Sequence, residues 1–593
     1  MLTFKNMQKF IAKLSLIFLF IAASLSAQTI NLKIIQTTDD HGAIFPYDFT
    51  DQRTTNNSLA HISTILKKER ANKDQEIILL NGGDILQGTP AVYYYNFEKP
   101  EDTHLLAEVM NYMNYDAGVV GNHDIETGHP VYDKFVTEIN FPWLAANAIN
   151  KTTNAPYFKP YTIIERKGIK IAVLGLITPH IPNWLPEKIW EGIDWKDMIE
   201  SAEKWVKIIK ENEKPDLLVG LFHAGVDYTY GNQNENSHKN ENASQLVAQK
   251  VDGLDIVFVG HDHKGWNFNI KNDAGNEVLI LGGTSYGRDL AIAECVFTFD
   301  DNSKSWKKLI SGATVESKNF QPDSVFLSKF ESQFKEVKQY VTRTIGSFEN
   351  ELDARESIFG SSAFSDFINQ IQMEITGADI SFTAPLSLNA KIDKGEISVG
   401  QLFKLYRYEN LLYTMNLTGK EIKNYLEHSY SLWFNQIKNE NDNLLNFVKD
   451  DSGNTIFDKR NNAPQLKFPF YNFDSALGID YEVDVTKPDG EKIKIISMRN
   501  GLKFDEDKVY KTAINSYRGN GGGGHLLIGS KIPKEELSSR IISSTDKDLR
   551  YYIMKWIEKN KTIAPKNYSN WRVVPQTLWE RAKERDYKLL FNN

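Results

Sequence analysis

The chain has 593 residues, of which 41% are hydrophobic, 12% aromatic and 25% charged, with a formal net charge of −8. That length exceeds what one hydrophobic core organises, so two or more domains are expected. The acidic balance, with no Lys/Arg-rich block, excludes a nucleic-acid duplex as the partner; a small anion held through metal ions stays open, because the metals supply the charge locally.

At the start, Lys5, Lys9 and Lys13 precede the apolar run LSLIFLFIAA, and SLSAQ follows. This is the order of a secretory signal, and the run is about half the length a spanning helix needs. Loss of residues 1–27 removes three lysines and takes the net charge from −8 to −11. An uncleaved anchor helix is the alternative. The single cysteine, Cys295, excludes internal disulfides and a lipid-anchoring cysteine at the cleavage position. A periplasmic or secreted protein is expected, with no transmembrane segment in the mature chain.

From residue 28 to 322, short β-branched runs alternate with amphipathic stretches. NLKIIQTTD, EIILLNGGD, DAGVVGNHD, KIAVLGLIT, DLLVGLFHAG and DIVFVGHDH each read as a buried strand ending in a polar or glycine-rich loop. LAHISTILKKERAN and ENASQLVAQKV read as helices, so helices layered on a sheet are expected. Residues 323–345 form one glycine- and proline-free amphipathic stretch, expected as a linker helix. A second, α+β domain spans 346–593. It holds helices at AFSDFINQIQMEIT and LTGKEIKNYLEHSY, strands turning at Pro488-Asp489-Gly490 and Asn500-Gly501, and a tail of mixed helix and coil after Arg550.

The strand ends carry the chemistry. Asp39 and His41 are two apart at the end of the first strand and are expected on one side of it. His261 and His263 repeat that spacing, and Asp84, Asn122 and His223 end three further strands. Taken singly, each has a plain explanation as a helix cap or a hydrogen-bonded histidine. Seven such donors at one rim point to metal. Imidazole with carboxylate suits Zn, Mn, Fe or Co better than an all-oxygen calcium site, and seven side chains fit two ions sharing a carboxylate. Two ions about 3.5–4 Å apart can activate water and clamp a phosphoryl group.

The ordered set D-x-H, G-G-D, G-N-H-D, H-A-G and G-H-D-H resembles the calcineurin-like metallophosphoesterase family. The resemblance implies a four-layered α/β/β/α sandwich and two divalent ions (Zn, Mn, Fe, Co or Mg). Asp39, His41, Asp84 and His263 would hold one, and Asp84, Asn122, His223 and His261 the other. It implies that His123 is the catalytic histidine. The family commonly has Asp three residues later to orient that ring; here Glu126 stands there, with Asp124 a nearby stand-in.

From Gly346 onward the chain is similar to the C-terminal domain of secreted 5′-nucleotidases. That likeness implies a nucleoside base stacked between Tyr408 and Tyr517, with Asn410 near the base. Several phrases, YNFDSALGIDYEVDVTKPDG above all, look closer to the 2′,3′-cyclic-nucleotide 2′-phosphodiesterase/3′-nucleotidase branch. APLSLNAKIDKGEIS lacks the arginines of the 5′-nucleotidase branch, and glycine occupies the loop near Gly523 where that branch has an acid. A 5′-nucleotidase remains the alternative, as does a non-catalytic nucleotide-binding protein. An adhesion module would show a repeat array or stalk, and the sequence has none. The expected protein is a monomer acting on small nucleotides, its domains closing by rotation near 323–345. The glycine run Gly521–Gly524 reads equally as a close approach to ligand and as a flexible turn.

Overall fold

The computed structural model describes residues 28–301, 303–458 and 463–591; the expected signal segment 1–27 lies outside them. Two six-stranded sheets stack face to face in the first half. One runs Ser305–Glu316, Asp289–Asp300, Thr29–Thr37, Glu76–Asn81, Ala117–Val119, Trp143–Leu144. The other runs Trp266–Lys271, Glu277–Gly282, Ile256–Val259, Leu217–His223, Ile169–Ile177, Tyr161–Arg166.

Alternation along each strand builds the layers. Leu32, Ile34, Leu80 and Val119 of the first sheet meet Val173, Val219, Leu221 and Phe258 of the second in the core between them. Ile35 and Leu79 point the other way, to the helices Leu59–Ala71 and Leu105–Met113. Leu174 and Leu218 face Met198–Asn212 and Ser244–Lys250. The result is the expected α/β/β/α sandwich. Central strands of each sheet run parallel, Thr29–Thr37 with Glu76–Asn81 and Leu217–His223 with Ile256–Val259. Their carboxyl ends therefore gather at one rim, where ligands bind in such folds.

Residues 323–345 form two helices in place of one, Ser324–Lys329 and Glu331–Thr342. Phe330 breaks them at φ −105°, ψ 19°, a bend that lets Phe326, Phe330, Val337 and Val341 all enter the core of the first half. Thr344 already opens a strand paired with Gly395–Ser398.

The second half centres on a five-stranded sheet: Ser475–Leu477, Ile380–Thr383, Val509–Asn515, Leu412–Thr418, Ile541–Ser544. Its helix Gly419–Trp433 starts in a capping box. Thr418 accepts from Glu421 N at 3.2 Å, and Glu421 accepts from Thr418 N at 2.7 Å. After Arg550 the chain is more regular than its composition suggests, with a strand, Trp571–Val574, added beside Ile479–Asp484 and a helix, Gln576–Phe591. The halves meet over the rim: Lys404 Nζ lies 2.7 Å from Asp51 Oδ1, and the Tyr93 hydroxyl donates to Asp548 Oδ2 at 3.0 Å. Lys534 donates to Pro182 O at 3.0 Å and Lys188 to Thr545 O at 2.9 Å. Among the described residues, no helix is long and apolar enough to cross a membrane.

Candidate active site

The rim is built from strained backbone. Asp39, His41, Asp84, His261 and His263 have φ of 50°, 46°, 54°, 83° and 57°. Left-handed backbone at a non-glycine residue costs on the order of 1–3 kcal/mol and persists only where the surroundings over-determine it. The first strand stops at Thr37, so left-handed turns, and not the pleat, aim Asp39 and His41. Backbone bonds tie these turns together: Asp39 N to Gly83 O, His41 N to Asp84 O and Thr89 N to His41 O, each 3.0 Å.

Asp124 does the bracing. Its carboxylate accepts from Gly121 N at 2.7 Å, Ile85 N at 2.8 Å, Leu86 N at 2.9 Å and Asp84 N at 3.1 Å. Burial raises its pKa to about 6, the Asp84 charge adds to this, and those N–H donors oppose it. It is thus committed to backbone and is no stand-in for Glu126. Gly121 lets the two loops touch: a Cβ there would lie 2.2 Å from Asp84 Oδ1.

The donors converge in two groups that share Asp84. Asp39, His41, Asp84 and His263 offer ligand atoms within 4.8 Å of one another, and so do Asp84, His223 and His261. Asn122 opens a one-turn helix, Asn122–Ile125, and does not end a strand. Its Oδ1 lies 3.1 Å from His223 Nε2 and 2.8 Å from His261 Nδ1. The outer ring nitrogens are committed elsewhere. His41 Nδ1 is 2.8 Å from Gln87 O, and His223 Nδ1 is 2.7 Å from Gly82 O, which leaves each Nε2 facing inward. Asp84 Oδ1 accepts from His123 N at 2.8 Å, whereas Oδ2 is buried, 3.1 Å from His223 Nε2, and accepts no hydrogen bond. An orphaned carboxylate oxygen between two sets of nitrogen and oxygen donors fits a bridging ligand to two divalent ions.

The electrostatics of the cluster act in both directions. Burial lowers the pKa of His223, but the Asp84 carboxylate overrides it and lifts the ring to about 9. Burial also drives the His41 pKa down, to about 3, with His263 and His123 adding to the fall. Burial works against ionised Asp39, yet His263 at 3.4 Å holds that carboxyl below its ordinary value. Protons and cations compete for the same atoms in such a cluster.

His123 leaves the one-turn helix on a different heading from Asn122, and its Nδ1 lies 2.5 Å from Glu126 Oε2. Burial opposes the charged ring, but Asp84 and Glu126 raise its pKa to about 10. A histidine whose Nδ1–H is held by a carboxylate presents Nε2 outward as a proton donor.

Two of the residues read from the second half lie near enough to the first for its charges to act on them, Glu126 on Tyr408 and Glu241 on Tyr517. The Tyr408 ring lies 6.3 Å from that of Tyr471, edge to face. Tyr517 stacks on the Arg518 guanidinium at 5.2 Å. Asn410 is buried; its Nδ2 donates weakly to the Tyr406 hydroxyl at 3.4 Å, and its main-chain oxygen accepts from Leu549 N at 2.8 Å. The glycine run is a close-packed turn. A Cβ on Gly523, at φ +71°, would lie 2.4 Å from Arg518 Nη1 and 2.6 Å from Asn472 Oδ1.

Several residues escape the sequence reading. Glu241 stands behind His261, 3.5 Å from its Nε2, and 3.4 Å from His180 Nδ1. Burial raises its pKa, but those two histidines pull it to about 2. Trp184 stacks on His261 at 5.7 Å. Asp474 and Arg518 form a buried pair, two contacts of 3.0 Å, that carries Tyr471 O and Gly522 O on the same guanidinium. Asp474 lies in the quoted YNFD phrase and Arg518 follows Tyr517, but their pairing, and the roles of Glu241 and Trp184, are identified only by position in three dimensions.

Residues 32–265 match the family model of calcineurin-like phosphoesterases, and residues 342–528 match that of the 5′-nucleotidase C-terminal domain. The chain is 25% identical over 620 residues to the 2′,3′-cyclic-nucleotide 2′-phosphodiesterase/3′-nucleotidase of Salmonella typhimurium, covering 94% of this chain and 90% of that one. It is 25% identical over 613 residues to the trifunctional nucleotide phosphoesterase protein YfkN of Bacillus subtilis, covering 93% of this chain and only 39% of that longer protein. Among solved structures, a putative 5′-nucleotidase from Staphylococcus aureus shares the fold with a TM-score of 0.74, at 19% identity over 92% of this chain and 99% of that one.

Proposed function

We propose that this phosphoric ester hydrolase, a calcineurin-like metallophosphoesterase with a 5′-nucleotidase C-terminal domain, is an exported 2′,3′-cyclic-nucleotide 2′-phosphodiesterase/3′-nucleotidase releasing nucleoside and phosphate. The observation that carries the reading is the pair of donor groups sharing Asp84, with its buried, unbonded Oδ2. The choice of substrate is supported by the likeness to the Salmonella protein over 94% of this chain. The arginine-free segment 384–398 supports it as well. A 5′-nucleotidase is the second reading, favoured by the family of the second domain.

Asp39, His41, Asp84 and His263 would hold one divalent ion and Asp84, Asn122, His223 and His261 a second. When bound, such ions polarise phosphoryl oxygens and acidify water. As water adds to phosphorus, His123 gives its Nε2 proton to the ribose oxygen that leaves it, and Glu126 holds the ring for that transfer. Tyr408 and Tyr517 flank the base, a contact worth roughly 1–3 kcal/mol per base, with Asn410 behind it. In this reading residues 1–27 direct export, 28–322 carry the chemistry, 323–345 link, and 346–593 hold the nucleoside in a monomer.

The test is phosphate release from 2′,3′-cyclic AMP, 3′-AMP, 5′-AMP and an aryl phosphodiester, each with and without chelator. Chelator-sensitive turnover of the first two is expected. Turnover of 5′-AMP but not 3′-AMP would move the protein to the second reading, and no metal-dependent release from any would end both.

A further inference from the structure

Three of the four proposed histidine ligands turn one ring nitrogen inward and commit the other. His41 and His223 commit theirs to main-chain oxygens, Gln87 O and Gly82 O. His261 differs. Its Nδ1 lies 2.8 Å from Asn122 Oδ1 inside the donor group, and its Nε2 faces a carboxylate, 3.5 Å from Glu241 Oε1.

Glu241 is itself held in place. Its N–H donates to Gln233 Oε1 at 2.9 Å, and its Oε2 lies 3.4 Å from His180 Nδ1. The flanking asparagines tie the segment down. Asn240 Nδ2 donates to Tyr228 O at 2.8 Å and to Asn234 O at 3.1 Å, and Asn242 Oδ1 accepts from Gly225 N at 3.2 Å. A Cβ on Gly225 would lie 2.6 Å from that Oδ1, so the close approach needs glycine. Gly225 follows shortly after His223, the other histidine of the same donor group. The loop that leaves one ligand thus carries the carboxylate that meets the other.

The His261 ring needs such a contact. Its backbone sits at φ 83°, and its N–H is taken by the Asp39 carboxylate, 3.0 Å from Oδ1. Trp184 stacks on the ring at 5.7 Å and 26° and so sets its plane. Stacking does not set the flip, because turning the ring over in that plane exchanges each nitrogen with a carbon. A carboxylate at Nε2 decides it. It also selects the tautomer with the proton outside and makes the inner nitrogen the stronger donor. The Glu241 and His261 side chains are only 15% and 13% exposed, so water screens this contact little.

We propose that Glu241 is a positioning residue for the second ion: its carboxylate accepts the Nε2–H of His261 and fixes the ring with the Nδ1 lone pair turned toward Asn122. The proposal rests on the two-ion reading above. Removal of Glu241 then weakens one ion and leaves the group Asp39, His41, Asp84 and His263 intact.

The experiment strips the full chain with chelator and titrates it with Zn²⁺ against a competing chelator, for wild type, Glu241→Ala and Glu241→Gln. Wild type is expected to bind two ions. In Glu241→Ala one dissociation constant rises by about 10–100-fold, the range for loss of such a supporting group, and the other stays within about threefold. Glu241→Gln keeps the side-chain volume and one acceptor oxygen without the charge. It weakens the same ion by about three- to tenfold, and it decides the matter should the alanine variant not fold. A purely structural role would weaken both ions together. That result, or dissociation constants within about twofold of wild type in both variants, overturns the proposal alone. Wild type binding one ion or none overturns the two-ion reading and the proposal with it.

Discussion

The proposed metal rim and the proposed nucleoside wall are held in different ways. At the rim, five of the seven proposed ligands sit in left-handed backbone, and the loops are pinned by Asp124 and by bonds between neighbouring turns. At the wall, the aromatic residues keep ordinary backbone, and their positions come from long-range side-chain pairs, Asp474 with Arg518 and Glu409 with Arg550. The rim spends conformational strain to fix donors for chemistry common to many phosphoesters. The wall uses replaceable side chains, which is where substrate choice can change while the chemistry is kept.

That contrast can be broken at several points. Asp84→Ala removes the shared donor; metal content by elemental analysis is expected to fall for both ions, and phosphate release by more than about 10³-fold, beyond the loss of a single stabilising donor. His123→Ala is expected to lower kcat by about 10²–10⁴-fold while the ions stay bound; equal loss of metal and turnover would contradict its role. On the wall, Arg518→Met leaves buried Asp474 without its cation, with the Tyr425 hydroxyl still donating to it. Denaturant unfolding is expected to register a loss of about 3–5 kcal/mol, with KM for nucleotide raised and metal content unchanged. A smaller effect concerns Asp366, in the helix Ala363–Thr376 of the second half. Burial raises its pKa from 3.8 to about 6. Its folded form thus holds the proton more tightly than the unfolded chain, so its contribution is complete below 3.8 and is lost as pH rises through about 6. Asp366→Asn should therefore gain on the order of 2–3 kcal/mol over wild type at pH 7.5 and little at pH 4, read as unfolding midpoints at the two pH values.

The same contrast decides what the sequence can reveal. Every proposed metal ligand lies in a short motif after an apolar strand, because parallel strands deliver their ends to one rim; reading those ends in order is enough to find seven donors and the layered fold. The backbone at Asp39 and His41 departs from the expected pleat, since alternation predicts facing only while the strand continues, and it stops at Thr37. Likewise Phe330 breaks a helix whose periodicity is unbroken in sequence, because burial of its ring outweighs the regular repeat. Glu241 and Trp184 are set by packing between segments far apart in the chain. No local pattern distinguishes them from surface acids and ordinary aromatics. The glycine run is ambiguous in sequence for the related reason that only its neighbours, Tyr517, Arg518 and Asn472, reveal a tight turn.

The central claim, two ions sharing Asp84, is tested most directly by stripping the purified protein with chelator and restoring a single divalent metal in measured equivalents. Bound metal and phosphate release from 2′,3′-cyclic AMP are followed on the same sample. Binding that saturates at two ions per chain, with activity returning as the second site fills, is the expected result. Saturation at one ion with full activity, or turnover that does not depend on metal, would contradict it.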